Sequence, residues 1–297
     1  MIKVFIPNTS KPNAIGGGWT FIRNFKKCMR PYVEFVDDLE SCDLLFVQGV
    51  TTCDPGMVHQ ARALGKQIIL RVDNVPKKSR NRRSTPHERL QEYAKLADVV
   101  VYQSEWAKNY CYPLSGEGVV IYNGVDRSIF YPRESKEDQG ILDLPTNKYL
   151  FAYHGKSELK QFWLAHLHFQ YIARENPNAE FIFAYDFGSE LTELANSNYD
   201  FWNGEKHQHI PLITTPELMA ETMRECDALI YPSVSDASPN IVLEARACGL
   251  QILYPAPTEL AGTQELMNPD LDISLDRMAK EYAGLIQLLF SEKEIEI

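Results

Sequence analysis

The chain has 297 residues, 44% of them hydrophobic and 24% charged, so it can bury a sizeable core, and its length favours about two domains. Uncharged apolar runs stay well short of the roughly 20 residues that span a bilayer, and MIKVFIPN turns polar too soon for a secretory signal. The net charge of −10 is unevenly spread: residues 1–135 carry 19 Lys and Arg against 14 Asp and Glu, the remainder 11 against 26, which argues against a generic nucleic-acid binder.

Lys3–Pro7 reads as a first, buried strand. Gly16, Gly17 and Gly18 then lead into TFIRNFKKCM, a helix with Phe21, Ile22, Phe25 and Met29 on one face. Strand, glycine run and helix let a backbone approach a phosphate closely. The G-x-G-x-x-G spacing is absent, so no dinucleotide fingerprint is present and no cofactor is expected. Val33–Val36 and Leu44–Val47 are short strand-like runs, Pro55 opens a helix that closes at Gly65, and Gln67–Val72 is apolar enough for a strand buried on both faces. This alternation predicts a parallel sheet wrapped by helices. Asp73 stands at a strand end, where α/β folds bring ligands. Residues 74–86 form a basic loop bracketed by prolines. With Lys77, Lys78, Arg80, Arg82 and Arg83, it reads equally as a solvated loop or as a surface for an anionic acceptor or membrane. His87–Ala97 reads as a helix, Val99–Gln103 as a strand and SEWAKNY as a helix.

Residues 134–147 are acidic and turn-rich, as an interdomain linker should be. A second domain follows, with strand 149–153, a loop bearing Lys156 and Lys160, a helix over Gln161–Arg174 and a strand over Phe181–Tyr185. Thr215 caps a helix over 216–226, and Asp227–Ile230 leads as a strand into a polar turn. Ser235, Asp236 and Ser238 are good N-cap types, and Pro239 suits a first helical turn. Ile241, Val242, Ala245 and Cys248 give one apolar face, so a helix should start near Pro239 and stop at Gly249. Its free backbone amides make a ready anion site, bracketed by Asp236 and Glu244 eight positions apart. Gln251–Pro255 is one more strand. A terminal helix runs from Ser274 through Phe290 with Met278, Tyr282, Leu285, Leu288 and Leu289 on its apolar face. His154, His166, His168 and His207 lack Cys or carboxylate companions at ligand spacing, and the six cysteines form no C-x-x-C pair. Neither a metal nor a disulfide is expected, and reduced thiols fit a cytoplasmic protein.

The segment YPSVSDASPNIVLEARACG (231–249) resembles the E-x7-E signature of retaining GT-B glycosyltransferases of the family-four group, with Asp236 in place of the first Glu. Its EARACG resembles that family's EAxAxG. The glycine run at 16–18 resembles the family's first loop, and QSEWAKNYCYP followed by VVIYNGVDRSIFYP resembles the end of its N-terminal domain. The resemblance implies an α/β fold of the GT-B type, two Rossmann-like doubly wound domains facing across a cleft. Residues 1–133 would form the acceptor side, 134–147 the linker and 148–273 the nucleotide-sugar-binding domain, with 274–297 returning to the first domain.

It further implies a retaining, metal-independent glycosyltransferase that moves a sugar from a UDP- or GDP-sugar to a glycan, lipid-linked or small-molecule acceptor. The protein would be cytoplasmic or peripheral at the inner face of the membrane, with residues 77–83 meeting anionic lipid and with no nucleic-acid partner. On this resemblance Asp236 lies near the sugar and Glu244 holds the donor ribose, a role that an acceptor-only carboxylate suits. Lys156 and Lys160 stand in a G-K-x3-K version of the family's G-R-x4-K. With Ser238, Pro239 and Asn240 they would neutralise the diphosphate, while Gly16, Gly17 and Gly18 face the donor. Asp73 occupies the strand end where many members carry a His. A sugar-nucleotide epimerase of the same fold, or a sugar-nucleotide or glycan-binding module, are the alternatives.

Overall fold

The computed structural model describes residues 1–8, 16–73, 85–133, 147–153, 159–185, 204–210, 213, 215–233, 236–254 and 261–291. The strands are β1 (Ile2–Phe5), β2 (Val33–Val36), β3 (Leu44–Val47), β4 (Gln67–Val72), β5 (Val99–Tyr102), β6 (Val119–Val120), β7 (Lys148–Tyr153), β8 (Glu180–Tyr185), β9 (Lys206–Ile210), β10 (Ala228–Ile230) and β11 (Gln251–Leu253). The helices are α1 (Gly17–Met29), α2 (Pro55–Ala63), α3 (Thr85–Leu96), α4 (Glu105–Ser115), α5 (Leu159–Glu175), α6 (Pro216–Arg224), α7 (Asn240–Ala247), α8 (Ala261–Leu266) and α9 (Leu275–Ser291). Two compact units result, one of Met1–Gly124, Ser235–Pro239 and Ala261–Ile297, the other of Val125–Val234 and Asn240–Leu260.

The first unit is built on a six-stranded sheet, every pair parallel, in the order β2-β1-β3-β4-β5-β6. Side chains alternate across a strand, and here the alternation divides them between two cores. Leu45, Val47, Ile68, Leu70 and Val72 pack with Val58 of α2, Leu90 and Tyr93 of α3 and Ala107 of α4. Leu44, Phe46, Ile69 and Val101 point the other way, onto Phe21, Phe25 and Met29 of α1 and Met278, Tyr282 and Ile286 of α9. The Phe25 and Phe46 rings stack at 4.5 Å, and Tyr282 meets Phe25 edge-on at 5.0 Å. Each such fully buried apolar side chain contributes roughly 1.5–3 kcal/mol.

Helix α9 buries a face slightly rotated from the expected one. Met278, Ala279, Tyr282, Ala283 and Ile286 are buried, Leu285 and Leu289 are partly buried, and Leu288 is 58% exposed. Two alanines on the contact stripe let the helix backbone come close, which the largest side chains alone did not signal.

The second unit carries a five-stranded parallel sheet in the order β11-β10-β7-β8-β9. Phe162, Ala165 and Phe169 of α5 cover Phe151, Phe181 and Phe183. Strand β9 is absent from the sequence expectation because KHQHI shows no apolar alternation. It is a polar edge strand, and His209 stacks on Phe183 at 4.8 Å.

One local device recurs in both units. An Asp just ahead of a strand accepts the first amides of the neighbouring strand: Asp43 from Lys3 at 2.8 Å, Asp98 from Ile68 at 2.8 Å, Asp227 from Lys148 at 2.9 Å. The tripeptides CDL, ADV and CDA therefore set parallel register at the strand starts and leave the opposite strand ends free to build a site.

The units depart from the sequence-based ranges at their edges. Val125–Arg133 groups with the second unit, and Ser235–Pro239 with everything from Ala261 onward groups with the first.

Candidate functional site

In the first unit the site residues converge where strands end. Gly16 has φ of +124°, a conformation that favours glycine. Its carbonyl accepts from Trp19 and Thr20 at 3.0 and 3.1 Å to start α1. A Cβ on Gly18 would stand 2.5 Å from Gln48 Nε2, just past β3, and one on Gly49 would stand 2.1 Å from the Asp73 carboxylate, just past β4. Gly17 lies between Gly16 and Gly18 in the first turn of α1. Gly18 and Asp73 thus lie against the neighbouring residues Gln48 and Gly49, Gly18 at the Gln48 side chain and Asp73 at Gly49.

Beneath them lies Arg71, 1% exposed. As the alternate residue to Ile69 on β4 it points into the α1/α9 core, where its guanidinium lies 3.6 Å from the Phe21 ring centroid. One Nη2 donates to Gln103 Oε1 at 2.6 Å and to Asn123 Oδ1 at 3.0 Å, and Nη1 donates to the Gln48 carbonyl at 3.4 Å. Gln103 in turn donates Nε2 to the Val72 carbonyl at 2.7 Å. Burial pulls the guanidinium below its ordinary pKa, with Tyr282 and Asp73 opposing.

Asn123 carries the network to the loop ahead of α7: its Nδ2 donates to Gln103 Oε1 at 3.1 Å and to the Ser238 carbonyl at 3.5 Å. In that loop Asp236 Oδ1 accepts from the Ser238 amide at 3.2 Å, an Asx turn closed by the aspartate itself. Ala237, Ser238 and Pro239 are buried and Asp236 is half-buried. Ser238 is 6% exposed, and its hydroxyl has no hydrogen-bond partner among the described residues. A buried hydroxyl in that state fits a site that takes a polar ligand.

The same loop is held from a second side by α8, an element the sequence reading did not foresee. The Gly262 amide donates to the Asp236 carbonyl at 2.9 Å. A Cβ at Gly262 would lie 1.8 Å from the Ala237 carbonyl oxygen. Glu265 accepts the α4 amides of Glu105 and Trp106 at 2.8 and 2.7 Å and the Tyr122 hydroxyl at 2.7 Å. The fully buried Thr263 hydroxyl between them also has no partner among the described residues.

In the second unit α7 begins at Asn240, one residue after Pro239, and Gly249 (φ +78°) follows it. Asn240 and Glu244 are half-buried on α7, while Val242, Leu243 and Ala245 are buried. Lys156 lies outside the described residues. Lys160 falls in the first turn of α5, and its side chain is outside the described set, as is the whole 77–83 segment. Gly16, Gly17, Gly18, Asp73, Asp236, Ser238 and Pro239 therefore share the first unit, and Lys160, Asn240 and Glu244 the second.

Sequence reasoning missed Gln48, Arg71, Gln103, Asn123, Gly262 and Glu265. A charged residue inside the otherwise apolar QIILRV was the signal available for Arg71. Among the described residues no helix is long and apolar enough to cross a membrane, and no group of three or more His, Cys, Asp or Glu gathers as metal ligands would.

No family model and no curated protein matches the chain by sequence. Solved structures do match it by shape. HepE from Anabaena, in complex with UDP and glucose, superposes with a TM-score of 0.65 over 96% of this chain and 90% of its own, at 14% identity. Sucrose-phosphate synthase from Thermosynechococcus elongatus gives 0.62 over 99% and 98%, also at 14% identity. The lipopolysaccharide outer core galactosyltransferase WaaB gives 0.57 over 99% and 91% at 15% identity. With two parallel sheets and interleaved helices matched along nearly the whole chain, the fold is that of the GT-B glycosyltransferases.

Proposed function

We propose that the protein is a retaining glycosyltransferase that takes a nucleotide-sugar donor, most simply a UDP-sugar, and transfers the sugar without a metal to a glycan, lipid-linked or small-molecule acceptor. The observation that carries this reading is the Asp236–Pro239 loop, with its buried, unpartnered Ser238 hydroxyl, in a chain that shares its fold with HepE in complex with UDP-glucose. The second unit would supply the ribose-binding Glu244 and the lysines, and the first unit the acceptor side together with the Asp236–Pro239 loop and the glycines that face the donor.

In this mechanism Glu244 accepts the two ribose hydroxyls, and Asp236 orients sugar hydroxyls near the anomeric carbon. Lys156, Lys160, the Ser238 hydroxyl and the backbone around Pro239 and Asn240 stabilise the charge that grows on the departing diphosphate, as a metal would otherwise do. The bond from the anomeric carbon to the phosphate oxygen breaks with its electron pair going to that oxygen. The acceptor oxygen bonds to the same face of the sugar, and its proton passes to the departing phosphate oxygen. Such a step needs no separate protein base, so Asp73 serves to orient the acceptor. Gly16, Gly17 and Gly18 line the donor with backbone rather than side chain. The basic residues 77–83 would meet an anionic acceptor or membrane, and liposome partition that ignores salt removes that part.

Titration with UDP-, GDP- and ADP-sugars, following released nucleotide with and without an acceptor mixture, tests the proposal. Acceptor-dependent release of one nucleotide supports it. Conversion of the donor sugar without acceptor indicates an epimerase, and binding without turnover in any mixture indicates a binding module.

A further inference from the structure

We infer that Arg71 is a positioning residue for the Asp236–Pro239 loop, acting through Asn123 to hold the Ser238 peptide and so fix the aim of Asp236 and the Ser238 hydroxyl. The inference deepens the donor reading above and rests on it.

Arg71 occupies a core position that a leucine or valine would fill without desolvating a charge. What the guanidinium supplies there is direction. Arginine has only donors, so the Asn123 side chain must turn its oxygen toward Nη2, as it does at 3.0 Å. Its amide nitrogen is then the end left to face Gln103 Oε1 and the Ser238 carbonyl, both acceptors. Gln103 is oriented in the same way, its oxygen on Arg71 and its nitrogen on the Val72 carbonyl. One buried cation thereby fixes the polarity of two amide side chains, and the second of them ends on the loop. Without that cation either amide could flip, and a flipped Asn123 would turn its carbonyl against that of Ser238. Phe21 of α1 and Gln48 of the β3 end contact the same guanidinium. The cation therefore ties the loop to the segment that carries the glycine run.

The discriminating variant is Asn123→Asp, which keeps shape and strengthens the contact with Arg71 but leaves no donor for the Ser238 carbonyl. Its melting temperature should stay within about 3 °C of the parent. Amide exchange at Ser238 and Gly262 should quicken at least about tenfold, while that of β3 and β4 does not change. UDP affinity by calorimetry should fall about tenfold, and Ser238→Ala should cost clearly less in the Asn123→Asp background than in the parent. Arg71→Met should reproduce the exchange signature, with Arg71→Lys intermediate. Unchanged loop exchange in a folded Asn123→Asp protein overturns the positioning role. Quickened exchange in a protein whose parent binds none of UDP, GDP and ADP keeps the positioning role and overturns its link to the donor.

Discussion

Glu265 offers the most direct perturbation of how the first unit holds its loop. Its carboxylate accepts two amides at the start of α4 and the Tyr122 hydroxyl, at 2.7–2.8 Å. Hydrogen bonds to a charged group are worth about 1.5–3 kcal/mol each, and an anion at a helix N-terminus adds about 0.3–1 kcal/mol. The residue is half-buried, so water recovers part of the loss, and Glu265→Ala should destabilise by about 3 kcal/mol in total. Glu265→Gln keeps one acceptor and should cost about half of that. Chemical denaturation, with the melting transition read in parallel, measures both. Tyr122→Phe should couple to Glu265→Ala by about 1 kcal/mol in a double-mutant cycle, because both remove the same bond. The latch also carries Gly262, whose amide binds the Asp236 carbonyl. UDP affinity should therefore fall several-fold at temperatures where the variant is folded. A Glu265→Ala protein within about 0.5 kcal/mol of the parent, or strict additivity with Tyr122→Phe, would refute the latch.

Three further outcomes follow from the site and the cores. Burial pulls His166 down to about 4 while it pairs at 3.0 Å with Glu205, so the unfolded chain binds the extra proton and stability should decline as pH falls from about 6.5 toward 4. Burial raises the Glu205 carboxyl and offsets part of this. A decline of about 2 kcal/mol is expected, and His166→Gln should remove most of it, leaving the part due to His168, which burial also lowers; a flat pH profile for the parent would contradict the burial argument. Glu244→Gln should weaken UDP binding while leaving stability within about 1 kcal/mol, whereas intact affinity with a large stability loss would make it a helix residue only. Turnover should persist in excess chelator, and activity lost to EDTA and restored by magnesium or manganese would show that the lysines and the α7 backbone do not replace a cation.

Legibility in the sequence followed the physics of each element. The inner strands β3, β4 and β5 are four to six residues of nearly unbroken apolar character, and each was read to within one residue because burial on both faces leaves no other pattern. The helix at Asn240 was announced by local signals, the Asx-type residues, the proline and the terminal glycine, which act over a few positions whatever the rest of the chain does. Strand β9 was not legible because an edge strand is specified by its neighbour's hydrogen bonds rather than by its own side chains. Helix α8 has six residues, too few for periodicity to show, and owes its place to its own Glu265, which accepts the amides at the start of α4 some 160 residues earlier. Asn123 shows the same limit at the site itself. The motif around it marked a chain segment worth attention, but its role depends on an arginine two strands away in the sheet and on a carbonyl 115 residues later. Residues that contact a ligand are constrained by chemistry that a motif can carry, whereas residues that aim them are constrained by partners brought together only by folding. The glycines, carboxylates and Ser238 are proposed for the first kind and Arg71 for the second, which is why the first set could be named from the sequence and Arg71 could not.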